Sequence, residues 1–218
     1  MSKFKNWKQL KIGNYFRELS IVIIGVAVTL YVSTVVSETK ERKDLELQLN
    51  TVYTELKDNL QRIDSLIEHR NKSKILSKYL VEYYHNPGPV VADSIHKYSD
   101  VIGYMHLFVY KKGAYDMFMN SGAMKLFNDK ELLLDITDCY AMIEELKEDH
   151  VLYESQKLEQ LKKIFDYDFK IVEEGIDLTS SKFRKLYNFF LMFRLDDIAE
   201  KTREKTEKVL SNRKEIKE

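Results

Sequence analysis

Few residues in this chain have the type and spacing to do chemistry. Glu82 and His85 stand in Glu-Tyr-Tyr-His, a spacing that sets two metal ligands on one helical face. A di-iron bundle site needs that motif twice, with further glutamates from other helices, and no second copy occurs. The pair is read as the end of a helix. His96 and His106 are ten residues apart and could face one interior region, but two isolated histidines are read as core or surface residues. Asp166 with Asp168, and Asp196 with Asp197, read as solvated helix faces. Cys139 is the single cysteine, so no intramolecular disulfide framework exists, and its place on the inward side of an amphipathic stretch makes it a small buried hydrophobe. Hydrolase, kinase, phosphate-loop, dinucleotide and zinc-protease signatures are absent. The sequence therefore predicts no catalytic residue, no metal ligand, no cofactor and no enzyme.

Aromatic residues crowd one region. Tyr98, Tyr104, Phe108, Tyr115 and Phe118 either line a ligand cleft between short helices or fill a core with their hydroxyls reaching water; the packed core is preferred.

The elements that must position these residues are ordered around Leu19 to Val36, an uncharged stretch in a chain that is 32% charged. As a helix it covers roughly 27 Å, close to the hydrocarbon thickness of a bilayer. A buried core helix would carry charge on its water-facing side, and a cleaved signal peptide would have a shorter apolar run and a better small-x-small site than Val35-Val36-Ser37. The stretch is read as an uncleaved signal anchor. Lys3, Lys5, Lys8, Lys11 and Arg17 precede it, whereas the basic residues after it are interleaved with acids, so the amino terminus is expected in the cytoplasm. Phe4, Trp7 and Leu10 fit either a short amphipathic helix on the inner leaflet or a basic tail. Within the span, Gly25, Thr29 and Ser33 share one face, a pattern that permits close helix approach.

Lys plus Arg and Asp plus Glu both number 35, for zero net charge, and the only basic asymmetry lies at the membrane end, which argues against nucleic acid. Two prolines and seven glycines leave few helix breaks. From Ser37 nothing stops a helix before Pro87, and Leu45, Leu49, Val52, Leu56, Ile63 and Leu66 form a heptad-like stripe interrupted by Asn59. The stripe is either a coiled-coil stalk with Asn59 setting register, or the core face of a long first helix in a bundle. The later segments need an apolar surface to pack on, which favours the bundle. After the Pro87-Gly88-Pro89 loop, Asp93 or Ser94 could cap a helix bearing Ile95, Tyr98, Ile102, Met105 and Val109. A short helix from Ala114 ends at Gly122, suited to a left-handed cap. Asn128 and Glu131 have capping-box spacing before a helix bearing Leu132, Ile136, Cys139 or Tyr140, Ile143 and Leu146, continuing with Leu158, Leu161, Ile164 and Phe165. Gly175 and Thr179 to Ser181 separate it from a last helix with Phe183, Tyr187, Phe190 and Phe193.

The anchor ELSIVIIGVAVTL, the charged exit ETKERKDLELQ and the segment from Ala114 to Tyr140 resemble an uncharacterised bacterial family of single-span membrane proteins from Gram-negative bacteria. Glu18, Ile24-Gly25, Glu41-Arg42-Lys43, Asn120-Ser121-Gly122 and Asn128 to Leu132 occupy its motif positions, and Arg17 stands where the family usually has glycine. The resemblance implies an envelope location and a helical domain, and hands over no active site.

An all-α chain is expected, with one N-terminal transmembrane helix continuing into a helical bundle. Its parts are a basic cytoplasmic segment (1–18), the span (19–36), a periplasmic helical bundle (37–200) and a polar helical tail (201–218) that leaves the core and frays. The expected function is contact, as a scaffold or interaction subunit of an envelope assembly in the bacterial inner membrane; a periplasmic sensory or ligand-binding domain is the alternative. The expected partners are the lipid bilayer and a second copy or another membrane protein, through the Gly25 face and the Leu45 to Leu66 stripe.

Overall fold

The computed structural model describes residues 5–122, 124, 127, 129–165, 181–192 and 197–212, all of whose regular structure is helical. The expectations placed on Phe4, Asn128, Asp166, Asp168, Gly175, Thr179, Phe193, Asp196 and 213–218 fall outside the described residues.

Helix α1 (Lys5–His85) runs unbroken for 81 residues, roughly 120 Å at 1.5 Å per residue. No proline or helix-ending glycine stops it, and Gly13 and Gly25 are carried within it. Its apolar window has mean hydropathy 2.4 and none of it is buried, so among the described residues one helix is long and apolar enough to cross a membrane. Beyond the charged exit the same helix becomes amphipathic. Leu49, Val52, Leu56, Ile63 and Leu66 are buried and Leu45 is packed against them. Residues of this same chain cover the stripe, so it is the core face of a bundle.

Pro89 occupies the first turn of α2 (Pro89–Lys97), where its missing N–H costs nothing. Neither Asp93 nor Ser94 caps a helix; Ser94 lies inside α2 and its hydroxyl donates to the Val90 carbonyl. After the single turn α3 (Asp100–Gly103) the chain is extended to Lys112, so Met105 and Val109 do not continue a helical face as expected. Helix α4 (Gly113–Asn120) ends at Gly122, whose φ of 76° is the left-handed value that glycine adopts without a Cβ clash. Helix α5 (Lys130–Phe165) is capped by Asp129, whose Oδ1 accepts the Leu132 N–H at 2.9 Å. Two further helices follow, α6 (Ser181–Met192) and α7 (Ile198–Asn212).

The expected fraying tail is corrected: through Asn212 it is α7, and it packs against both α1 and α5. Its inward face is Ala199, Thr202, Thr206 and Val209, all fully buried. Small residues let the helices approach closely, and each threonine returns its hydroxyl to the carbonyl four residues earlier. That face is weakly hydrophobic, which is why the stretch reads as polar. Ion pairs flank it, from Lys205 to Asp135 at 2.5 Å, Arg203 to Asp64 at 2.7 Å and Lys74 to Glu200 at 3.4 Å.

The core is in two parts. One gathers the Leu49 to Leu66 stripe, Phe108, Tyr115, Phe118, Leu132 to Leu146 and the face of α7. The other gathers Leu76, Leu80, Ile95, Ile102, Leu161 and Phe183 to Phe190. Between them, α1 and α5 carry buried polar residues.

Candidate functional site

The extended segment Tyr104–Lys112 lies between α1 and α5 as a strap with no sheet to pair with. Its backbone groups need partners, and side chains of the two helices supply them. Asn59 of α1 uses its whole amide: Oδ1 accepts the Lys111 N–H and Nδ2 donates to the Lys111 carbonyl, each at 2.8 Å. The polar break in the heptad stripe is thus a strap clamp within one chain rather than a register device between chains. Arg62 donates to the Val109 carbonyl at 2.9 Å. From α5, His150 Nε2 donates to the His106 carbonyl and Lys157 Nζ to the Tyr104 carbonyl, both at 2.6 Å, and the Tyr110 hydroxyl donates to Glu144. Glu55 of α1 accepts the Ala114 and Tyr115 N–H groups and the Tyr140 hydroxyl, capping α4 directly after the strap.

At the other end of the strap the polar side chains converge. The His106 ring stacks on His69 with centroids 5.0 Å apart and meets His150 edge-on at 5.7 Å. Glu154 sits among them, with Oε2 accepting from Lys157 at 3.2 Å, while Oε1 is 3.7 Å from His69 Nε2 and 3.9 Å from His150 Nε2. Those longer approaches are electrostatic rather than hydrogen bonds. Arg70 pairs with Asp149 at 2.6 Å. Lys157, Arg70, His150 and Glu154 are at most 3% exposed.

Such burial moves proton affinities in defined directions. Burial drives the His150 imidazole down to about 4, against the raising influence of the His106 carbonyl. His106 is lowered by burial and then by His69. Burial also lowers the Lys157 ammonium, opposed by Glu154. Burial alone would raise the Glu154 carboxyl, but His69 and Lys157 outweigh it and hold it below the ordinary carboxylate range.

A shallow depression of about 170 Å³ opens over this cluster, lined by Ser65, Glu68, His69, Lys72, Tyr104 and His106 among others. Ser65 Oγ is 3.5 Å from His106 Nε2, but an activated serine needs an acid on the other imidazole nitrogen, and the buried His106 Nδ1 has no hydrogen-bond partner. Among the described residues no group of three or more His, Cys, Asp or Glu is placed to hold a metal ion.

The aromatic cleft does not form. Phe108, Tyr115 and Phe118 are buried in the first core, Tyr98 packs against the second by stacking on Tyr79, and Tyr104 is 63% exposed at the depression. His96 is exposed, and the rings packed on His106 are those of His69 and His150. Glu82 and His85 are exposed in the last turn of α1. Cys139 Sγ packs 3.3 Å from Thr206 Oγ1, and burial pushes its thiol up to about 11, the opposite of an activated nucleophile. Gly25, Thr29 and Ser33 lie exposed on α1, with Thr29 donating to the Gly25 carbonyl at 2.8 Å.

Sequence reasoning missed His69, Arg70, His150, Glu154 and Lys157. Their signal is positional. His150, Tyr153, Lys157 and Leu161 continue the inward rhythm of Ile143 and Leu146, and His69, Arg70 and Ser73 sit between Leu66 and Leu76. Polar residues at the core positions of two helices mark a buried layer. Set against protein-family models, curated proteins and solved structures, the chain matches none.

Proposed function

We propose that this chain is a single-pass inner-membrane protein whose helical domain stands in the periplasm and works by contact, as a scaffold or interaction subunit of a bacterial envelope assembly. The observation that carries the reading is the continuity of α1, one helix bearing both the exposed apolar span and the core stripe of the domain. A domain joined to its anchor without a hinge is held at a set height and rotation above the bilayer, which suits a spacer or docking piece. The family resemblance of the anchor and its flanks supports the envelope location. The stripe from Leu45 to Leu66 is occupied by the chain's own core, so association is assigned to the span face of Gly25, Thr29 and Ser33, where a Cβ on Gly25 would meet nothing within 4 Å beyond the adjoining backbone of its own helix.

Two measurements test this. A reporter active only outside the cytoplasm, fused after Glu218, is expected to be active; an inactive fusion from a stably expressed protein sinks the topology. Purified in mild detergent, the full chain is expected to weigh more than one copy or to bring a partner, and Gly25→Leu to reduce that association several-fold. A strict monomer with no co-purifying protein, unaffected by Gly25→Leu, overturns the contact reading. The sensory alternative loses its main support, because Phe108, Tyr115 and Phe118 fill the core where a cleft was required.

A further inference from the structure

The strap is held by two kinds of clamp. One is the amide of Asn59 and the guanidinium of Arg62, which grip Lys111 and Val109. The other half, Tyr104 to Phe108, depends on His150, which reaches the strap through a single Nε2–H bond to the His106 carbonyl, and on Lys157. Because Nε2 carries that proton, His150 Nδ1 holds a lone pair, and it is buried with no partner; so is His106 Nδ1. Protonating either ring places an N–H where no acceptor waits and adds a cation to a layer already holding Arg70 and Lys157.

The acids around the cluster give neither Nδ1 a hydrogen bond. From α1 the cluster is faced by Glu68, His69, Arg70 and Lys72, from α3 by Asp100, and from α5 by Asp149, Tyr153, Glu154 and Lys157. Asp149 is engaged by Arg70 and Glu68 by Lys72 at 3.0 Å. Glu154 gives Oε2 to Lys157, and its Oε1 lies 3.9 Å from His150 Nε2, the nitrogen that already bears a proton, and not at the Nδ1 that would take the second.

We propose that His106 and His150 form an acid-sensitive latch that holds Met105 to Phe108 of the strap between α1 and α5 at neutral pH and releases them on acidification, while Lys157 keeps its bond to the Tyr104 carbonyl. Release frees the inward side of Phe108 and opens the groove between the two helices, while Asn59 keeps the far end attached. The sign follows from linkage: both histidines bind a proton less readily in the latched state than in water, so their stabilisation is complete above their ordinary value of about 6.5 and is lost as pH falls below it. A contact protein built this way offers a different surface in an acidified compartment.

Hydrogen–deuterium exchange of the full chain in detergent, corrected for intrinsic rates, tests the latch. From pH 7.5 to 4.5 the opening of residues 105–108 is expected to rise below about 6.5 by up to roughly tenfold per pH unit for each histidine that takes up a proton, with residues 109–112 as an internal control that changes far less. His150→Gln keeps an N–H for the His106 carbonyl without titrating, and the combined His106→Gln/His150→Gln variant is expected to abolish the slope. A flat profile in the parent chain, or an unchanged slope in the double variant, overturns the latch. Should the variants not fold, imidazole titration of the parent chain by NMR decides: His150 titrating at or above 6.5 refutes the proposal, and titration well below it supports it. Failure here leaves the membrane topology and association tests untouched.

Discussion

Lys157→Met is expected to lower the unfolding free energy of the helical domain by about 3–5 kcal/mol, the cost of breaking a buried ion pair from one side. Lys157 is fully buried and its ammonium serves two acceptors, the Tyr104 carbonyl at 2.6 Å and Glu154 Oε2 at 3.2 Å. Removing it strands a carboxylate and a backbone carbonyl away from water. Methionine fills a similar volume, so little of the loss comes from packing. The paired replacement Glu154→Leu/Lys157→Met is expected to recover most of it, leaving about 1–2 kcal/mol for the orphaned carbonyl. Urea unfolding followed by far-ultraviolet circular dichroism on all three variants measures the coupling. A Lys157→Met variant within 1 kcal/mol of the parent, on the scale expected of an exposed pair, would show that water reaches this layer.

The second large effect is expected at Glu55. Its Oε2 accepts the Ala114 N–H at 2.8 Å, and its Oε1 accepts the Tyr115 N–H at 3.2 Å and the Tyr140 hydroxyl at 2.7 Å. One carboxylate from α1 thus closes the first turn of α4 and ties it to α5. Burial, and then the adjoining carboxylate, raise the Tyr140 hydroxyl far above its ordinary range, so it remains a donor at any pH the cell meets. Glu55→Leu should cost about 3 kcal/mol, because hydrogen bonds to an ionised acceptor exceed neutral ones and their loss leaves buried donors unpaired. Glu55→Gln keeps one acceptor oxygen and the shape, and should cost roughly half as much. Equal losses for the two variants in the same unfolding assay would assign the effect to volume and not to the carboxylate.

Parts of this architecture are plain in the residues. The span, the stripe from Leu49 to Leu66 and the face from Leu132 to Leu146 each repeat strongly apolar residues at helical intervals, and water alone imposes their burial or their membrane. Gly122 is legible because only a residue without a Cβ adopts its φ at no cost. Other parts are hidden for definite reasons. The inward face of α7 is alanine, threonine and valine, whose small apolar surface leaves no contrast with the charged residues between them. The strap alternates His106, Phe108 and Tyr110 inward with Met105, Leu107 and Val109 outward, and with large side chains on both sides the two-residue rhythm disappears into a uniformly bulky run.

The candidate site shows the same division. Local sequence determined that the regular structure of the described residues is helical, that one helix among them is long and apolar enough to cross a membrane, and where α1 and α4 end, since propensity, periodicity and turn chemistry act over a few residues. Only the tertiary structure decided that Asn59, Arg62, His150 and Lys157 share a task. They come from helices some ninety residues apart in sequence and are joined by the strap, whose backbone groups each side chain satisfies. Hydrogen-bond demand from an unpaired extended segment arises only once the helices enclose it, and for that reason no spacing in the sequence announces it.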